Sequence, residues 1–162
     1  MRRLLIVTRG IPAAGKTTRA LQWVAEDPEH RARVGTDEIA AMLHPQIVAG
    51  DDDGYTMHYA RREQLVVQSA IEALLRNGID VVCDDTFLLP DYLDAARELA
   101  HRCGADLIVW DMTDIDVDEC IARDRQRRKI GHRAVGEATI RMKHQLLSQH
   151  QPLAAAGARG QD

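Results

Sequence analysis

Short runs of consecutive aliphatic residues alternate along the chain with longer stretches whose apolar positions recur every three or four residues. The short runs are Leu4 to Val7, Ile79 to Cys83 and Leu107 to Trp110. Uninterrupted apolarity of this length predicts strands buried on both faces, because successive side chains of a strand point to opposite sides. A weaker run at Val34 to Thr36 makes a fourth strand. Between the runs, Val67, Ala70, Ile71, Leu74 and Leu75 share one helical face, as do Leu93, Ala96, Leu99 and Ala100. Gly78 and Gly104 stand where those helices would stop, and Pro90 where one would begin.

Strand and helix in alternation predict an α/β fold, with a parallel sheet covered by helices on both faces. The chain of 162 residues is long enough for one packed core, and one domain over 1–148 accounts for all the periodic segments. Residues His44 to Gly54 read as a surface connection. The small-residue segment 149–162 reads as a disordered tail.

Composition excludes several function classes. No stretch is apolar for long enough to span a bilayer, and Leu4 to Val7 is too short for the apolar region of a signal peptide, so a cytoplasmic protein is expected. Cys83, Cys103 and Cys120 have neither the even count of a disulfide framework nor the spacing of a zinc site, and read as buried thiols. The net charge of −4 gives no general attraction to nucleic acid, although the signs are segregated. Acids crowd Glu26 to Asp53, and Arg123, Arg125, Arg127, Arg128, Lys129 and Arg133 form a basic run.

The first strand runs directly into GIPAAGKT, residues 10–17. This is the complete G-x-x-x-x-G-K-[ST] pattern in the strand-to-helix setting that phosphate binding requires. Backbone amides of such a loop converge on phosphates, the following helix adds its positive end, and Gly10 and Gly15 allow backbone geometry that other residues resist. The expected nucleotide-binding residues are Gly10, Ala13, Ala14, Gly15, Lys16, Thr17 and Thr18. Lys16 is expected to reach the β- and γ-phosphates of ATP or another nucleoside triphosphate, and the Thr17 hydroxyl to hold Mg²⁺.

Ligands of open parallel sheets sit beyond the carboxyl ends of the strands, which draws attention to Asp37, Asp84 and Asp85. Asp37 is placed either to accept a proton from an attacking hydroxyl or to cap the helix that starts beside it. The run Ile79 to Cys83 followed by two aspartates has the shape of a strand that ends in an Mg²⁺-organising carboxylate. Alternation at a strand end does not decide which aspartate faces inward; Asp84 is assigned to the metal.

TRGIPAAGKTT, GTDEIA, VVCDDT, ARDRQRR and RAVGEATI occur in this order, and together the chain from Leu4 to Leu147 resembles the 5′-hydroxyl polynucleotide kinases of end-healing systems. The resemblance implies a P-loop phosphotransferase with a four-stranded parallel sheet, a helical lid and a tunnel-like site for a single-stranded 5′ end of nucleic acid. It implies that Asp37 is the general base, that Asp85 is the acceptor-side aspartate, and that Arg123 and Arg127 are lid arginines on the donor phosphates. Lys16, Asp37 and Arg127 are thereby the expected catalytic residues.

Two positions depart from the family pattern. Ala40 stands where an arginine usually holds the acceptor phosphate, which leaves Arg61, Arg62 or His44 as replacements, or a different acceptor. Phe87 stands where asparagine is common, and either stacks on a base or belongs to the core. Asp51-Asp52-Asp53-Gly54 has the outline of a D-x-D-G phosphatase motif but reads as an acidic loop. A small-molecule kinase and a nucleotide-dependent switch are the competing classes on the same scaffold.

Overall fold

The computed structural model describes residues 2–45 and 57–150. The acidic stretch Asp51 to Gly54 and residues 151–162 lie outside the described residues. Helix α6 runs on to His150, so the first two residues of the expected tail are helical.

The elements follow as β1 (Leu4–Arg9), α1 (Lys16–Glu26), β2 (Arg31–Gly35), α2 (Thr36–Leu43), α3 (Met57–Arg76), β3 (Asp80–Asp84), α4 (Pro90–Cys103), β4 (Asp106–Asp111), α5 (Val117–Lys129) and α6 (Glu137–His150). The four strands form one sheet in the order β2-β3-β1-β4, parallel throughout. Leu5 lies between Val81 and Leu107, and Val7 between Cys83 and Val109. The weak strand is real but sits earlier than expected, since Thr36 already opens α2.

The strand alternation distributes the core over two faces. Leu5, Val7, Val81 and Cys83 pack with Val67, Ile71 and Leu75 of α3 and Ala96 and Leu99 of α4. Ile6 and Val82 point the other way, against Ala20, Trp23 and Val24 of α1. A third cluster joins the glycine-rich loop to the last two helices, with Ile11, Ala13 and Ala14 against Cys120, Ile121, Ile140 and Leu147. That third cluster makes α5 and α6 a lid seated on the loop itself.

Burial on both faces holds for β1 and β3 and fails for β4. As the outer strand it leaves Ile108 and Val109 39% and 38% exposed. Its apolar run records strand formation at a sheet edge, where covering helices reach only part of the surface.

The punctuation residues act as expected. Pro90 occupies the first turn of α4, and Gly104 closes that helix in the left-handed region at φ 64°. Among the described residues no helix is long and apolar enough to cross a membrane. Cys83 and Cys120 are buried free thiols, and Cys103 is partly exposed.

Candidate active site

The loop between β1 and α1 is shaped by residues that leave ordinary backbone space. Gly10 has φ 154°, and a Cβ added there would meet the Met112 carbonyl oxygen at 2.8 Å. Gly15 has φ 101°, directly before α1. Ala13 also takes a positive φ, 65°, a conformation that disfavours side chains and that the sequence did not signal. The Gly10 amide donates to the Thr86 carbonyl at 3.0 Å, which ties the loop to the segment after β3.

Lys16 begins α1, is only 7% exposed, and donates to the Ile11 carbonyl at 2.7 Å. Burial lowers its pKa to about 8, and the neighbouring Asp84 and Asp85 carboxylates only partly oppose that fall. A charge held this way is poised to be completed by phosphate. Thr17 and Thr18 stand exposed on the same turn. Arg123 of α5 donates to the Ala13 carbonyl at 3.3 Å and is braced by Glu119. Arg127, one turn on, is partly exposed and makes no ion pair among the described residues.

The two aspartates after Cys83 separate cleanly. Asp84 is 6% exposed, and its Oδ2 takes both Nε and Nη2 of Arg33 at 2.8 and 2.7 Å. Arg33 in turn holds Glu38. Asp85 lines a cavity, and its Oδ1 accepts the Thr86 amide at 2.6 Å. Burial raises the Asp85 pKa, with the Thr86 amide, Lys143 and Lys16 pulling the other way.

That cavity, about 580 Å³, opens between the sheet, α2, α3, α4 and α6. Its polar wall carries Asp37, Glu63, Arg61, Asp85 and Lys143; its depth is formed by apolar side chains including Val67, Ile71 and Leu99. Asp37 is the second residue of α2, so the helix-cap alternative fails: Gly35 holds the cap position with no side-chain bond. The Asp37 carboxylate is exposed and bonded to Arg133 Nη1 at 3.0 Å.

Of the candidates for the position left by Ala40, Arg61 lines the cavity together with Ala40 itself. His44 does not; it is buried 4.4 Å from the Tyr59 ring and 3.8 Å from Glu63. Phe87 packs on the central core, and it also lines the cavity and takes φ 42°.

Three residues escaped the sequence reading, two of them although a signal existed. Lys143 falls between Ile140 and Leu147 at spacings of three and four, a cation on a buried helical stripe. Asp124 follows Cys120 and Ile121 on the buried face of α5, and its carboxylate accepts the Val135 and Gly136 amides at 3.0 and 2.9 Å. Arg33 was hidden in a weak strand.

A parallel sheet, a phosphate-binding loop opening α1 and a lid carried on that loop define a P-loop nucleotide-binding domain with the fold of the P-loop kinases. A family model described as an AAA domain matches residues 5–152, and the chain belongs to that family.

Similar solved structures include a chain of the Pnkp1/Rnl/Hen1 RNA repair complex, with TM-score 0.72 and 21% identity over 94% of this chain and 46% of that one. The present chain thus spans just under half the length of that protein. The APS kinase CysC of Mycobacterium tuberculosis, determined with AMPPNP and APS, is similar at TM-score 0.61 and 17% identity, over 80% of this chain and 72% of that one. At these identities the likeness is one of fold. No curated protein matches the chain.

Proposed function

We propose that the chain is a phosphotransferase that moves the γ-phosphoryl group of ATP or another nucleoside triphosphate to the 5′-hydroxyl end of single-stranded DNA or RNA. One observation carries the reading: Asp37 and Asp85 line a single cavity whose Asp85–Thr86 edge is bonded to the phosphate loop through the Gly10 amide. Donor and acceptor sites are therefore held together by main chain. The RNA repair complex among the similar structures supports this acceptor.

The donor phosphates lie along the amides of residues 10–18, with Lys16 on the β- and γ-phosphates and Arg123 and Arg127 closing from the lid. The residues present suit Mg²⁺, a hard cation that takes one or two protein oxygens and completes its shell with phosphate and water. Thr17 and Asp84 would hold it, Asp84 through the oxygen that Arg33 leaves, and the ion would neutralise charge on the phosphates. Asp37 accepts the proton of the attacking hydroxyl. That oxygen forms the new bond to phosphorus as the bond to the β-phosphate oxygen breaks, and the diphosphate departs.

The apolar depth of the cavity favours a second reading, in which the acceptor is a small molecule with an apolar body. Transfer of label from γ-labelled ATP with Mg²⁺ decides. Wild-type protein is given a 5′-hydroxyl oligonucleotide, its 5′-phosphorylated twin, and a panel of nucleosides and antibiotics. Label on the 5′-hydroxyl strand alone supports the first reading; label only on a small molecule replaces it with the second. Steady hydrolysis that no acceptor stimulates removes both.

A further inference from the structure

Helix α6 contributes a charged group for which its own fold has no use. Lys143 is partly buried, lies on the stripe that packs α6 onto the glycine-rich loop and α5, and lines the cavity with Asp37 and Asp85. No hydrogen bond or ion pair engages it among the described residues, whereas Arg125 and Arg141, nearby on the lid helices, are both paired to Glu137. A partly buried lysine without a hydrogen-bond or ion-pair partner, on a wall shared with Asp37 and Asp85, leaves its ammonium free to take an anion that enters the cavity.

Its neighbours fix where that anion sits. Lys143 lines the cavity together with Asp85 and Thr86, and the Thr86 carbonyl accepts the Gly10 amide of the glycine-rich loop. The place that Lys143 and that loop both border is the junction of the phosphate cradle and the cavity. Arg61 is a second cation on the cavity wall, and position 40, which could carry another, is alanine.

We propose that Lys143 binds a phosphoryl oxyanion at this junction, as part of the site proposed above to transfer phosphate. The oxyanion has two possible sources with the same chemistry, the terminal phosphoryl group of the donor and a phosphate already carried by the acceptor beside its reacting hydroxyl. Because α6 is seated on the loop through Ile140 and Leu147, this contact forms only while the lid stays docked.

Equilibrium binding tests the proposal without turnover. Wild type, Lys143→Met and Lys143→Arg are titrated calorimetrically with Mg-AMPPNP, Mg-ADP, thymidine and thymidine 3′-phosphate. Loss of a charge-assisted contact is expected to weaken one ligand by about tenfold or more. Weaker AMPPNP with ADP unchanged identifies the donor phosphoryl; weaker thymidine 3′-phosphate with thymidine unchanged identifies an acceptor phosphate. Lys143→Arg retains the binding in either case. If Lys143→Met binds all four probes as wild type does, the assignment is overturned. Failure of label transfer in the wild-type protein would remove the kinase reading alone, since the binding result stands apart from it.

Discussion

Asp37 and Arg133 meet at 3.0 Å across the site, joining the first turn of α2 to the segment between α5 and α6. Their side chains remain 67% and 42% exposed, so the pair contributes little to stability. Its consequence is positional. It holds a carboxylate that lines the cavity from the same segment whose amides Asp124 gathers, and so couples the segment between α5 and α6 to α2.

Asp37→Asn is therefore expected to leave ATP affinity unchanged while lowering kcat for transfer by about 10²- to 10⁴-fold, the usual range for a lost general base. Arg133→Ala should change stability by less than about 0.5 kcal/mol and lower kcat/KM for the acceptor. Calorimetry with Mg-AMPPNP beside steady-state kinetics separates the two. An Asp37→Asn protein with undiminished kcat would remove the base assignment.

Lys16 carries a pH dependence whose sign follows from burial. Its pKa falls from 10.5 in the open chain to about 8 in the fold, so between these values the folded state has released a proton that the unfolded state keeps. Below about 8 the fold bears the full cost of a buried charge, and stability gains from its release as pH rises through that range. Nucleotide binding runs the other way, because the phosphates need the charged form. Donor affinity should weaken between pH 7 and 10, with a proton taken up on binding above pH 8. Titrations in buffers of different ionisation heat measure that uptake. Lys16→Ala abolishes it.

Asp124 is 3% exposed and supplies both carboxylate oxygens to backbone amides at the entry to α6. Asp124→Ala leaves the Val135 and Gly136 amides unsatisfied, at a cost of roughly 1–3 kcal/mol each if they stay buried. Asp124→Asn keeps one good acceptor and should lose less. Thermal melts rank the two. Protease cleavage between α5 and α6 should accelerate in the alanine variant first, because that segment loses its anchor.

The fold and its glycine-rich loop were legible because their signals are local. A strand, a glycine-rich loop and an amphipathic helix sit side by side in the chain, and GIPAAGKT needs no distant partner to be read. The cavity proposed for the acceptor depends on contacts from far along the chain. Arg133 reaches Asp37 and Lys143 faces Asp85 only after the lid packs on the loop through Ile140 and Leu147. Asp84 and Asp85 were inseparable by pattern because Arg33, which holds Asp84, lies on another strand. The apolar run of β4 misled for a related reason: burial depends on what covers a strand, and its own sequence does not state that.

The two lid arginines differ in a way that kinetics can read. Arg123 already touches the loop through the Ala13 carbonyl, and an atom added at Gly15 would lie 3.9 Å from its guanidinium. An arginine in place before reaction binds donor and transition state alike, so Arg123→Ala should raise the donor KM with a modest effect on kcat. Arg127 has no such contact among the described residues, so under the proposed function its contribution comes only once the triphosphate is bound. An interaction made only then lowers kcat and kcat/KM together when removed, by about 10- to 100-fold for one charge-assisted bond. Arg127→Ala should therefore cut kcat at unchanged donor KM. If both parameters stay at wild-type values, Arg127 has no place in the site and Arg123 closes it alone.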